Sequence, residues 1–228
     1  MAPTLVASRT VLPPAGAVPP KGGLAAERTP TPSTSCVFPP YEGTLPALKP
    51  ALNFPPELLL RAQGVKVAFF DVDGVLTDGG LYMSEDGERI KRFNTLDGHG
   101  LKLLQQAGIT PAVITGRDSP ALRARLQALG ITHAHFGTED KRPAAEITLQ
   151  VLGLDWSAAA AMGDDWPDLA VMRRAALSCA PVNAHAEVRA QAHFITQASG
   201  GQGAAREFCD LLLVAGGSYA RLLQAYAR

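Results

Sequence analysis

The chain has 228 residues, room for one or two domains with a sizeable core, and its 46% hydrophobic and 18% charged residues are an ordinary globular balance. Its 21 Lys and Arg match 21 Asp and Glu, so no global field favours nucleic acid, an anionic membrane surface or a polyacidic partner. No stretch approaches the roughly 18 uncharged apolar residues a membrane helix needs, and Cys36, Cys179 and Cys209 are too widely spaced for a metal or redox pair, which points to a soluble protein of a reducing, cytoplasmic compartment.

Residues 1–50 hold 11 of the 18 prolines and only six charged residues, with runs such as Thr29-Pro30-Thr31-Pro32, and are read as a disordered Pro-rich extension. They contain no continuous apolar run of the secretory kind. Residues 51–64 read as a linker whose short amphipathic piece, 56–61, packs on the domain that follows at 65–228. From Val65 onward short apolar runs alternate with amphipathic segments, the pattern of a parallel sheet covered on both faces. Strands are predicted at 65–70, 111–114, 134–136, 159–162, 177–180 and 194–195, with helices near 100–107, 120–129, 142–152, 168–175 and 186–191. Pro120, Pro143 and Pro167 fall near helix starts, and Gly108, Gly130 and Gly153 fall where helices should end.

One insertion breaks the alternation. Residues 80–93 form two period-2 segments joined around Asp86-Gly87, a hairpin signal. It leaves directly after the first strand's loop and is expected to project over the crevice as a flap. Gly200-Gly201-Gln202-Gly203 reads as a flexible joint, followed by a helical pattern over 203–228.

The chemistry gathers at strand ends. The first apolar run stops on Asp71-Val72-Asp73-Gly74, two carboxylates at the carboxyl end of a buried strand, where open α/β sheets bind ligands. Carboxylates held close in a desolvated crevice require a proton or a cation between them. The second strand ends on Thr115-Gly116-Arg117, a hydroxyl, exposed amides and a guanidinium that suit an anion. Lys141 opens a helix, where a cation gains nothing from the helix dipole and so calls for another partner. The fourth strand ends on Gly163-Asp164-Asp165 with Asp168 beyond, a set that favours a hard cation.

In that order these motifs resemble the haloacid dehalogenase-like hydrolases over roughly residues 65–215. Phe70 to Gly79, the hairpin with Gly87, Asp97-Gly98-His99-Gly100, Thr115 to Pro120 and Gly200 to Glu207 together look like the 3-deoxy-D-manno-octulosonate 8-phosphate phosphatase family. The resemblance implies a Rossmann-like three-layer α/β sandwich with a mostly parallel central sheet, a β-hairpin flap and no large cap domain. It implies a Mg2+-dependent phosphomonoesterase acting through an aspartyl-phosphate, on a sugar acid phosphate used for lipopolysaccharide. Asp71 would be the nucleophile and Asp73 the acid and then the base. Asp71, Asp164 and the main-chain carbonyl of Asp73 would hold the metal, and Thr115, Gly116 and Lys141 the phosphate. Arg117 and Arg206 would meet the sugar acid, while Asp165 and Asp168 would orient Asp164 and Lys141. The resemblance further implies a homotetramer built by the flaps, with the glycine-rich tail closing a neighbour's site. Another sugar phosphate as substrate, a phosphotransferase, and a non-catalytic oligomerisation domain related to sugar-acid cytidylyltransferases are the alternatives.

Overall fold

The computed structural model describes residues 47–227, so the expectation for 1–50 lies almost wholly outside the described residues. The chain runs α1 (Pro56–Ala62), β1 (Val67–Phe70), the hairpin β2 (Tyr82–Ser84) and β3 (Gly87–Ile90), α2 (Thr95–Gln106), β4 (Thr110–Ile114), α3 (Pro120–Leu129), β5 (His133–His135), α4 (Lys141–Leu152), β6 (Ala159–Met162), α5 (Leu169–Met172), β7 (Leu177–Ala180), α6 (Ala186–Gln191), β8 (Phe194–Ile195), α7 (Ala204–Ala215) and α8 (Tyr219–Ala225). The central sheet has the order β5-β4-β1-β6-β7-β8, and every pairing in it is parallel. The crossovers reverse direction between β1 and β6, and such a switch point opens a crevice at the strands' carboxyl ends.

β1 shows why the sheet is covered on both sides. Its four residues are all buried, and they alternate between two cores. Ala68 and Phe70 point into the cluster formed with α2, α3 and α7, which includes Leu101, Leu122 and Phe208. Val67 and Phe69 point into the cluster with α4, α5 and α6, which includes Leu149, Met172 and Val188. A strand buried on both faces has no polar side to show, which is why the sequence reads as a continuous apolar run. Residues 56–62 are drawn into the first core, where the α1 residues Leu58 and Ala62 are buried.

Gly108, Gly130 and Gly153 follow α2, α3 and α4 in the left-handed conformation, with φ of 76°, 70° and 65°. Two expectations for the helices are corrected. The helix expected near 100–107 begins at Thr95, with the Asn94 side chain accepting from the Leu96 amide, 2.8 Å. Gly98 and Gly100 thus lie inside a helix despite their low propensity, because a Cβ at Gly98 would strike the Arg125 guanidinium and one at Gly100 would sit 3.1 Å from Cys209 and Arg206. The carboxyl-terminal pattern is two helices, not one: Gly216 and Gly217 separate α7 from α8, and Gly217 has φ 68°.

The flexible joint is corrected as well. Gly200, Gly201 and Gly203 are buried, and Gly201 N donates to Val75 O at 2.9 Å. A Cβ at Gly200 would overlap the Gly74 carbonyl, so these glycines permit close backbone packing against the loop that follows β1. Asp97 of α2 completes the arrangement. Gly203, the cap of α7, has no side chain, and the buried Asp97 carboxylate accepts instead from Gly203 N at 3.2 Å and Arg206 N at 2.9 Å. Burial pushes the Asp97 pKa up against the lowering effect of those amides.

Candidate active site

Every strand end singled out in the sequence opens on one cleft of about 490 Å³ at the carboxyl edge of the sheet. Its lining includes Asp71 and Asp73 after β1, Thr115, Gly116 and Arg117 after β4, Glu139 and Lys141 at the start of α4, and Asp164, Asp165, Pro167 and Asp168 after β6. Parallel strands all end on one edge, so short motifs up to ~100 residues apart in sequence converge without any long-range signal between them.

Asp71 extends β1, its amide bonded to Met162 O at 3.1 Å, which fixes it between β1 and β6. Gly74 then turns the chain with φ 95° beside Asp164, so closely that a Cβ there would overlap the Asp164 carboxylate. Only glycine allows that approach. Thr115 is buried, its amide donates to His135 O at 3.0 Å and its Oγ1 accepts from the Arg117 amide at 3.2 Å, which shapes the turn and leaves the amide of Gly116, a cleft-lining residue, uncommitted among the described residues.

Lys141 is 5% exposed at the first position of α4, and its Nζ donates at 2.6 Å to both Asp71 Oδ1 and Asp168 Oδ1. Burial opposes the charge of Lys141, yet the carboxylates of Asp168 and Asp71 outweigh it and raise the pKa. Asp168 Oδ2 in turn accepts from the amides of Asp164, 3.0 Å, and Asp165, 3.2 Å. Asp168 therefore orients both the cation and the loop after β6.

The three carboxylates of Asp71, Asp164 and Asp168 each offer one oxygen within 4.8 Å of the others. One ammonium cannot neutralise them all. Burial, then the Asp168 charge, pushes Asp71 up to about 6, with Lys141 acting against the rise. Burial, then the Asp71 and Asp168 charges, pushes Asp164 up to about 8. Asp168 is committed to Lys141 and two amides, so Asp71 and Asp164 are the carboxylates left with capacity for a cation. A hard divalent ion fits this all-oxygen, electron-rich set.

A prediction follows from the sign of these shifts. Both folded-state values lie above the ordinary 3.8, so the metal-free fold binds more protons than the unfolded chain between 3.8 and about 6 for Asp71, and between 3.8 and about 8 for Asp164. The stability these groups contribute is present at low pH and is lost as pH rises through 6 and then 8. Magnesium should displace the protons. At pH 7, adding it to metal-free protein is expected to raise the melting temperature, by about 2.7 kcal/mol of stability at a hundredfold excess over Kd, with proton release measurable in weakly buffered calorimetry. No magnesium effect on melting would count against these carboxylates as ligands.

Asp73 does not join the carboxylate cluster. Its Oδ1 is paired with Lys91, and its Oδ2 stands 4.0 Å from Arg117 Nε. Lys91 was not singled out in the sequence: one lysine in a hairpin with basic neighbours carries no local signal. Arg206, expected to meet the sugar acid, is not among the residues lining this chain's cleft. Its Nε is bound to Asp210 Oδ1 at 2.8 Å along α7, and its Nη1 faces His99 Nδ1 at 3.3 Å. The i,i+4 spacing makes that pair local.

The haloacid dehalogenase-like hydrolase family model matches residues 137–208. The chain is 41% identical over 159 residues to the 3-deoxy-D-manno-octulosonate 8-phosphate phosphatase of Yersinia pestis, covering 70% of this chain and 85% of that protein. With the phosphatase of the same name from Escherichia coli K12 the identity is 39% over 161 residues, covering 71% and 86%. Among solved structures, a probable YrbI family phosphatase from Pseudomonas syringae is 48% identical with a TM-score of 0.74, covering 75% of this chain and 98% of that one. The 3-deoxy-D-manno-octulosonate 8-phosphate phosphatase from Moraxella catarrhalis, solved with magnesium, phosphate and the free sugar acid, is 37% identical with a TM-score of 0.72, covering 75% and 98%. With this fold, these strand-end residues and relatives matched over most of their length, the chain belongs to the 3-deoxy-D-manno-octulosonate 8-phosphate phosphatase family of haloacid dehalogenase-like hydrolases.

Proposed function

We propose that the chain is a magnesium-dependent phosphatase that cleaves 3-deoxy-D-manno-octulosonate 8-phosphate to the free sugar acid and phosphate, in lipopolysaccharide precursor synthesis. The observation that carries the reading is the Asp71 carboxylate, desolvated at the end of β1, held 2.6 Å from the Lys141 ammonium and packed with Asp164. The Asp71 and Asp164 carboxylates, with the Asp73 main-chain carbonyl, would hold a magnesium ion, which would supply the positive charge that lets one anion approach another. Lys141, the Thr115 hydroxyl and the Gly116 amide hold the phosphoryl oxygens and gain strength as charge redistributes.

Asp71 attacks phosphorus. The new bond runs from its carboxylate oxygen to phosphorus, the ester bond breaks, and Asp73 gives its proton to the departing alkoxide. Water then attacks the aspartyl-phosphate, Asp73 takes the water's proton, and the Asp71 carboxylate is restored. Arg117, which lines the cleft and is half exposed, would meet the sugar carboxylate in bidentate geometry. Arg206 would serve only a neighbouring subunit's site, after leaving Asp210.

A homotetramer assembled through the flaps is supported by four apolar side chains exposed on the hairpin segment: Leu81 43%, Tyr82 47%, Met83 63% and Ile90 65%. A cytoplasmic setting is supported by Cys179 and Cys209, both free thiols. No helix among the described residues is long and apolar enough to cross a membrane.

The test is phosphate release from purified protein across sugar-acid phosphates and unrelated phosphomonoesters, with and without magnesium. Magnesium-dependent turnover is expected, with kcat/KM for the octulosonate ester at least about tenfold higher, the value of one charge-assisted carboxylate contact. Equal turnover of unrelated esters would sink the substrate assignment, and metal-independent turnover the mechanism.

A further inference from the structure

We propose that Lys91, at the foot of the flap, is a positioning residue that holds the Asp73 carboxylate in the cleft and so couples the flap to the acid–base half of the reaction. The proposal rests on the functional reading above, in which Asp73 protonates the leaving group.

Lysine is almost never buried unless paired, and the Lys91 side chain is 1% exposed. It follows β3 directly and places its ammonium between two carboxylates, in contact with Asp73 Oδ1 and 2.8 Å from Glu88 Oε1. The Glu88 side chain is itself 9% exposed, so the flap contributes a buried ion pair reaching into the catalytic loop. Among the described residues the Asp73 carboxylate is met from only two directions. Lys91 hydrogen-bonds Oδ1, and Arg117 Nε faces Oδ2 from 4.0 Å. Arg117 stands at the 4.0 Å limit of an ion pair, so Lys91 is the closer of the two cations that orient the Asp73 side chain. With the ammonium gone, the Asp73 and Glu88 carboxylates would be left without the cation between them, and repulsion would drive Asp73 from its place.

Two roles for Lys91 make different demands on the substrate. If it only staples the flap to the body, its loss slows every phosphoester alike. If it positions Asp73, the loss in the step that forms the aspartyl-phosphate falls on esters whose leaving group needs a proton. A sugar alkoxide needs one; p-nitrophenolate leaves as a stable anion and does not.

The experiment measures kcat and KM for the full-length wild type, Lys91→Met and Lys91→Arg with magnesium. The substrates are p-nitrophenyl phosphate and an alkyl phosphomonoester that the wild type turns over, 3-deoxy-D-manno-octulosonate 8-phosphate on the reading above. For Lys91→Met, kcat/KM on the alkyl ester is expected to fall about a hundredfold, the scale of general acid catalysis, and on p-nitrophenyl phosphate by less than about threefold, since kcat/KM ends at release of the alcohol and leaves out the aspartyl-phosphate hydrolysis in which both substrates need Asp73. Lys91→Arg should recover part of the alkyl-ester rate. Equal losses in kcat/KM on both substrates, or an unchanged kcat/KM on the alkyl ester, would overturn the proposal and leave the functional reading standing. A wild type inactive on both would overturn the two together. Should Lys91→Met melt below the assay temperature, Lys91→Gln carries the same comparison with the same expectation.

Discussion

Asp71→Asn is expected to lose turnover on the order of 10⁴-fold or more, the scale of removing a nucleophile, while the protein still folds. Asparagine keeps the size of the side chain and an oxygen able to accept from Lys141 Nζ, so the 2.6 Å contact can persist. What disappears is the negative oxygen that attacks phosphorus in the proposed mechanism. Stability points the opposite way from activity. Burial and the Asp168 charge push Asp71 up to about 6, so above that pH its ionisation burdens the metal-free fold. The variant should therefore melt at or above the wild-type temperature without metal and gain less from magnesium. Phosphate release paired with thermal melts at pH 7, with and without magnesium, reads both effects. Full retained activity would refute Asp71 as nucleophile.

Lys141→Ala should injure activity and stability together, which separates it from Asp71→Asn. The lysine lies 2.6 Å from the Asp71 and Asp168 carboxylates and is 5% exposed, so its loss leaves buried negative charge unpaired. Removing one partner of a buried pair costs about 3–5 kcal/mol. Magnesium should return part of this, because it neutralises the same carboxylates. On activity, the loss of a phosphate donor is expected to lower kcat by about 10²–10³-fold and to weaken inhibition by inorganic phosphate. Denaturant melts and a phosphate inhibition series check the two halves. Unchanged phosphate inhibition would place Lys141 as a structural counter-ion alone.

Much of the fold was legible because its signals are local. A buried parallel strand needs only its own apolar run, as 159–162 shows, and a helix end needs only the glycine that follows it, as Gly130 and Gly153 show. The boundaries that went wrong are those where a distant partner overrides propensity. Residues 95–99 fell outside the helix expected near 100–107, yet Arg125 of α3 and Cys209 of α7 pack closely against Gly98 and Gly100 inside α2, where a Cβ would crowd them. Gly200 to Gly203 read as a hinge, whereas the segment is packed against the loop after β1.

The same division runs through the site. By itself the sequence determined which groups share the cleft: Asp71, Asp73, Thr115, Lys141 and Asp164 each stand at the end of an apolar run or the start of a helix, and a parallel sheet brings all such ends to one edge. Only the tertiary structure decided how those groups divide the charge among themselves. Lys141 binds Asp71 and Asp168, Asp73 turns instead to Lys91 on the flap, and Arg206 is held by Asp210 away from the cleft. Residue type and position along the chain are enough to gather carboxylates and cations at one edge. Which of them pair depends on separations of a few ångströms in a desolvated cleft, where electrostatic energies change steeply with distance, and the path of the folded chain alone sets those.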